Sequence, residues 1–213
     1  MKIEIHVFNI KDRLNEPVER YLEYFSHERQ QAIMRYKFLP DRNRTVFAEL
    51  MAKKLISDMT GKTFHEIAIF RDSNGKPFSD IKGIYFSLSH SGEWIACSIG
   101  DTINGVDVES AYRKIDIKIA EKFFLPDEYK TIKNLSETGQ DWRQKFFHYW
   151  TLKESCLKCL SLREWSHVDC EKLLHGNDFI GGCNFDLPEG TVLGCCAHRE
   201  FLPECFCYND FKF

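Results

Sequence analysis

Two carboxylates stand two residues apart in Gly105-Val106-Asp107-Val108-Glu109. The period of a β-strand sends Val106 and Val108 to one face and Asp107 and Glu109 to the other. A third carboxylate, Glu154, lies in a long helical pattern, where steps of about 100° per residue place it within the arc of Phe147, Trp150 and Leu157. A carboxylate on so apolar a face is costly to bury unpaired. Lys158, one turn on, offers a salt bridge, and a metal ion offers another answer. Lys153 falls near the same arc and spoils the amphipathic pattern. Three carboxylates without a convincing His or Cys set make a hard, oxygen-only site, suited to Mg²⁺ holding a polyphosphate.

A phosphate needs cations and hydrogen-bond donors. Ser87-Leu88-Ser89-His90-Ser91-Gly92 supplies hydroxyls and an imidazole directly after a strand pattern. Arg29, Arg35, Arg42 and Arg44 add cationic reach, and Lys76 is fixed in a stiff turn between Gly75 and Pro77. Each of these residues also has a plainer reading, as solvated helix surface or as a turn residue.

The elements that must position these groups follow from periodicity. A strand pattern opens the chain at residues 1–8, and helical patterns cover residues 18–25 and 27–36. Residues 37–41 read as a break, 42–59 as a longer helix and 67–70 as a short strand before the turn at 72–77. Three short strands follow at 84–88, 94–99 and 105–109. Helical spacing returns after Ala111 through Ile115, Ile119 and Phe123, stops at Pro126, and is strongest over 141–161. The Gly-, Cys- and Phe-rich remainder reads as short strands and loops. No internal repeat or low-complexity linker separates these segments, and the mixture defines an α+β chain.

Composition narrows the setting. The 213 residues carry a net charge of −3, and the sequence pI is about 6.2. That leaves no overall basic field to gather nucleic acid or an anionic membrane. No apolar run approaches the roughly 20 residues needed to cross a bilayer, and the alternation at the start is unlike an export signal. A cytoplasmic protein is expected. Nine cysteines are then free thiols or small buried hydrophobes. Cys156 and Cys159 have C-x-x-C spacing, and Cys195, Cys196, Cys205 and Cys207 crowd the C-terminal region with His198. The first pair lies inside a helical pattern without a second correctly spaced pair, so packing or free thiols outweigh a structural zinc site.

Taken in order, Phe86-Ser87-Leu88-Ser89-His90-Ser91-Gly92, Gly105-Val106-Asp107-Val108-Glu109 and Trp150-Thr151-Leu152-Lys153-Glu154-Ser155 with Lys158 resemble the 4′-phosphopantetheinyl transferases of the long, surfactin-synthetase-activating type. Gly75-Lys76-Pro77 and the Arg-rich early helices extend the likeness over nearly the whole chain. The resemblance implies a monomer of two similar α+β halves related by a pseudo-twofold axis, residues 1–103 and 104–213, with coenzyme A in the cleft between them. It implies Mg²⁺ on Asp107, Glu109 and Glu154, the 3′-phosphate of coenzyme A on Arg44 and His90, Lys76 near the nucleotide and Lys158 near the pyrophosphate. Ser89 and Arg29 belong to the same set of coenzyme A contacts. The family often carries two lysines in its first basic helix, where this chain has Arg29 and Ala32.

The reaction so implied moves the phosphopantetheine arm of coenzyme A onto a carrier-protein serine and releases adenosine 3′,5′-bisphosphate, with Glu154 as general base and Lys158 stabilising charge. An acyl or peptidyl carrier would dock near Arg113, Lys114, Lys118 and Lys122, whose charges interleave with Ile115, Ile119 and Phe123. A Mg²⁺-dependent phosphohydrolase and a non-catalytic coenzyme A or carrier-binding module are the alternatives.

Overall fold

The alternation that opens the chain becomes strand β1 (Ile3–Asn9), with Ile3, Ile5 and Val7 fully buried. The computed structural model describes residues 3–162, 168–170, 172, 180–198 and 203–208, so the first two residues of the expected strand lie outside it. Helix α1 (His27–Met34) starts where the Ser26 side chain accepts from the Arg29 N–H at 3.3 Å. Helix α2 (Leu39–Thr60) ends at Gly61, whose φ of 72° few side chains tolerate.

Two early expectations change. The long helix begins at Leu39 and not at residue 42, because Pro40 sits in the first turn, where its missing N–H costs no hydrogen bond. Residues 18–25 form a 3-10 stretch (Glu19–Tyr24) instead of an α-helix, with the buried anchors Val18 and Phe25 outside its two ends.

Strand β2 (Ile69–Arg71) pairs with β3 (Pro77–Ser79) across the Asp72-to-Lys76 turn. Strands β4 (Tyr85–Ser91), β5 (Trp94–Gly100) and β6 (Asn104–Ser110) follow as the alternation requires. Helical spacing after Ala111 yields only α3 (Lys118–Phe123), since the Ala111 N–H is drawn to the Gly190 carbonyl at 2.8 Å and Asp116 caps the Lys118 N–H at 2.9 Å. Helices α4 (Pro126–Glu137) and α5 (Trp142–Leu160) lead to β7 (Ile180–Leu187), β8 (Thr191–His198) and β9 (Pro203–Tyr208).

The strands form one sheet in the order β4-β5-β1-β9, a second in the order β6-β8-β7, and the β2-β3 hairpin. All pairs are antiparallel except β1 with β9. The two larger sheets pack through Ile5, Val7, Trp94, Ala96, Val106, Val108, Leu193 and Cys195. On its other face the first sheet meets α2 through Phe8, Ile95, Cys97 and Ile99 against Phe47, Leu50 and Met51. The second meets α5 through Ile180, Val192 and Cys196. Each large side chain buried in these clusters contributes roughly 1.5–3 kcal/mol relative to an exposed one. The layers run helix, sheet, sheet, helix, an α+β arrangement as expected. Among the described residues no helix is long and apolar enough to cross a membrane.

Candidate active site

Strand β4 alternates Ser87, Ser89 and Ser91, and all three hydroxyls reach β6. Ser87 Oγ accepts from the Val106 N–H at 3.3 Å, and Ser89 Oγ accepts from the Val108 N–H at 3.3 Å. Ser89 then donates to Asp107 Oδ1 at 2.7 Å, and Ser91 donates to Glu109 Oε2 at 2.5 Å. The edges of the two sheets are thus joined by side chains where a backbone ladder would be. The Ser89 hydroxyl, read from the sequence as a phosphate contact, is spent on orienting a carboxylate.

Helix α5 lies directly on β6 and β8. A methyl group at Gly105 would overlap the Ser155 carbonyl, and one at Gly194, paired with Asp107, would overlap Thr151. Only glycine permits this approach, and it brings Glu154 and Lys158 to the carboxylates of β6. Lys158 Nζ meets Asp107 Oδ1 at 2.7 Å and the Val106 carbonyl at 3.2 Å. The ion pair therefore crosses from helix to strand, replacing the one-turn Glu154–Lys158 bridge that spacing offered. Arg113 returns to Glu109 at 2.9 Å.

Burial, and next to it repulsion from Asp107, pushes the Glu154 carboxyl above its ordinary pKa. Burial likewise raises Glu109, with Asp107 adding to the rise against the Ser91 and Arg113 hydrogen bonds. Asp107 Oδ2 is buried with no hydrogen-bond partner among the described residues. As they stand, no three described His, Cys, Asp or Glu side chains gather into a metal-ligand set, since serine, lysine and arginine partners hold Asp107 Oδ1 and both oxygens of Glu109. An orphaned carboxylate oxygen beside two carboxyls of raised pKa is nonetheless a donor set that a divalent cation would satisfy.

These residues form one wall of a cleft of about 860 Å³, which runs along the edges of β4 and β6 between α2 and α5. Arg29, Glu49, Arg71, Lys76, His90, Trp150 and Ser161 line it as well. Glu49, its side chain 3% exposed, holds Arg29 through Nε at 3.1 Å and Nη2 at 2.5 Å, and it also pairs with Arg71. Lys76 Nζ donates to the carbonyls of Asn104 and Cys159, each at 3.2 Å, and so ties the β2-β3 turn to the end of α5. Asn74 and Asp72 reinforce that tie through Ser161, at 2.7 and 2.6 Å. Arg44 stands behind His90 and holds the Gly92 carbonyl at 2.8 Å and Asp41 at 2.5 Å. Desolvation in the cleft, then the charges of Arg44 and Lys158, lowers the pKa of His90.

Sequence reasoning missed Glu49 and Arg71. Glu49 is buried within a helix buried on nearly every side, where periodicity carries no contrast, and Arg71 ends a strand of three residues. A charged residue directly before a turn that carries a cleft lysine was the available signal. The eight described cysteines are free; the side chains of His198 and Cys207 lie outside the described residues.

The site and fold define a class, and two family descriptions match the chain in succession. "4′-phosphopantetheinyl transferase, N-terminal" covers residues 14–100, and "4′-phosphopantetheinyl transferase superfamily" covers residues 104–193. The chain belongs to the 4′-phosphopantetheinyl transferase superfamily. It is similar to the 4′-phosphopantetheinyl transferase psf-1 of Bacillus pumilus, 34% identical over 142 residues, 66% of this chain and 60% of the relative. With gsp of Aneurinibacillus migulanus it is 36% identical over 159 residues, 75% of this chain and 61% of the relative. With Sfp of Bacillus subtilis strain 168 the identity is 26% over 199 residues, 87% and 88% of the two chains. The chain thus spans about three fifths of the length of the first two relatives and most of the third.

Proposed function

We propose that this protein transfers the 4′-phosphopantetheine group of coenzyme A to a serine of an apo acyl or peptidyl carrier protein. The observation that carries the reading is the cleft wall itself: Asp107, Glu109 and Glu154 face one space, with Lys158 bridging to Asp107. Mg²⁺, held by the three carboxylates, would neutralise charge on the pyrophosphate.

The chain's own groups account for the rest. Ser89 and Ser91 fix the carboxylates of β6, and the glycine contacts fix α5 against them. The carrier serine oxygen bonds to the phosphorus attached to pantetheine, and the bond from that phosphorus to the bridging oxygen breaks. The electron pair leaves on adenosine 3′,5′-bisphosphate. Glu154 takes the serine proton as general base. Lys158 faces the charge that develops on the equatorial oxygens. His90, Arg29 and Arg44 favour the phosphate of the adenosine end.

The carrier docks beside the cleft. Lys114, Lys118 and Lys122 are exposed, whereas Ile115, Ile117 and Ile119 pack into the core. The apolar part of the docking surface is instead Tyr112, 76% exposed, and Phe123, 36% exposed. Arg113 is shared with Glu109. One chain supplies every residue invoked, so a monomer suffices, and a cytoplasmic setting keeps its thiols reduced.

Intact-mass analysis of an apo carrier incubated with the protein, coenzyme A and Mg²⁺ tests this reading. One added phosphopantetheine, lost with EDTA and with Asp107→Ala, is expected. Coenzyme A cleaved without a carrier would instead mark a hydrolase. Glu154→Gln should lower turnover by roughly 10²–10⁴-fold at saturating substrates; near-normal turnover removes Glu154 as the base.

A further inference from the structure

Both carboxylate oxygens of Glu109 are engaged, by partners of different kinds. Ser91 on β4 donates to Oε2 at 2.5 Å, and Arg113, in the loop that follows β6, donates from Nη1 to Oε1 at 2.9 Å. The Arg113 side chain is 57% exposed, against 13% for that of Glu109. The guanidinium can therefore turn away into solvent while Ser91 keeps the carboxylate in place.

The backbone beneath Arg113 lacks that freedom. The Ala111 N–H donates to the Gly190 carbonyl at 2.8 Å, and the Arg113 N–H donates to the Ser110 carbonyl at 3.1 Å. The Tyr112 ring lies so close to Gly190 that a methyl group there would overlap it. Arg113 is a long arm on a fixed pivot.

That arm belongs to two surfaces. It lines the cleft with Asp107, Glu109 and Glu154, and it opens the segment in which Arg113, Lys114, Lys118 and Lys122 outnumber Asp116 and Glu121. Complementarity makes a partner that docks on this segment acidic. The partner's carboxylates compete with Glu109 for the same guanidinium, and a half-exposed ion pair is weak enough to be exchanged. Once Arg113 turns outward, Glu109 Oε1 loses this donor and joins Asp107 Oδ2, which has none among the described residues. Two such oxygens in a desolvated cleft favour a hard cation.

We propose that Arg113 is a latch between carrier and cation: it occupies Glu109 while no carrier is bound, and an acidic carrier surface draws it away, completing the divalent-cation site as the acceptor serine arrives. The inference rests on the transferase reading above. Arg113 is a positioning residue, which acts through Glu109 and takes no part in bond breaking. Coupling of this kind is reciprocal, so the cation tightens the carrier by the factor by which the carrier tightens the cation.

Mn²⁺ binding, read from the loss of its free-ion paramagnetic resonance signal, tests the latch without turnover. Wild type, Arg113→Ala and Lys118→Ala are titrated with and without a saturating carrier whose acceptor serine is replaced by alanine, and thermal unfolding checks each fold. In wild type the carrier should tighten Mn²⁺ roughly two- to fivefold, the worth of an exposed ion pair. Arg113→Ala should bind Mn²⁺ without carrier as tightly as wild type does with it, and the carrier should add nothing further. Lys118→Ala removes a docking cation outside the cleft lining; it should need more carrier and keep the full gain. An equal gain in wild type and Arg113→Ala would mean that the carrier's charge alone attracts the cation and would overturn the latch, as would no gain in either. A wild type that adds no phosphopantetheine to any carrier in the mass assay would sink the transferase reading, and the latch with it.

Discussion

Each of the two long helices buries a lysine, and the two lysines are treated differently. Lys53 on α2 ends on the carbonyls of Phe64, at 2.8 Å, and Ile67. Desolvation lowers its pKa, with Glu49 opposing only at a distance. Lys153 on α5, fully buried, meets Glu128 of α4 at 2.9 Å and the Val168 carbonyl, with the Phe124 ring 5.7 Å away. Glu128 is itself held by the N–H groups of Leu125 and Cys170, both at 2.9 Å. The first helix satisfies a buried cation with dipoles, and the second satisfies it with a countercharge inside a connected network. Dipoles can be withdrawn at moderate cost, but a countercharge cannot be removed without stranding its partner.

The largest effect should come from Glu128→Ala, which leaves Lys153 buried and unpaired and should cost about 3–5 kcal/mol in denaturant unfolding. Removing both charges, as Glu128→Leu with Lys153→Met, should recover much of that loss. A cost below about 1 kcal/mol for the single change would erase the contrast between the helices. Lys53→Met should cost less, about 1–3 kcal/mol, because the Ile67 carbonyl loses this donor and the Phe64 carbonyl keeps only the Ile67 N–H at 3.4 Å.

The pH dependence sharpens the comparison. Lys53 has a folded pKa below its unfolded value of about 10.4. Between those two values the unfolded chain binds the extra proton, so stability rises with pH through that window. Wild type should therefore gain on Lys53→Met as the pH climbs from neutral toward about 10, read from unfolding curves at a series of alkaline pH values. A constant gap would place the lysine in a better-solvated site than the structure gives it. The smallest expected effect is on activity: Lys53 lies away from the cleft lining, and Lys53→Met should leave turnover close to that of wild type in the carrier assay.

Much of the site was legible because it depends on local periods. The strand period aligned Asp107 with Glu109, the helix period brought Glu154 and Lys158 to one arc, and all four line one cleft. Partners across space were not legible. Nothing in spacing ties Lys158 to Asp107, 51 residues away, or Lys153 to Glu128. The serine alternation at 87, 89 and 91 was visible, but a hydroxyl reads alike whether it serves a phosphate or a neighbouring strand. Lys153 did leave a mark: a lysine that spoils an apolar arc announces a buried countercharge somewhere. Residues 111–117 misled because helical spacing of isoleucines also suits an irregular segment packed on a core.

The parallel pairing of β9 with β1 joins Ile3 to Pro203, two hundred residues apart. During synthesis the first strand therefore waits, its outer edge unpaired, until residues 203–208 have left the ribosome. The sheet that holds β1 is completed only when β9 joins it. A released chain truncated before residue 203 should be cut by protease more readily than one that includes residues 203–208, so the closing strand acts as a seal on a sheet whose other strands come much earlier in the chain.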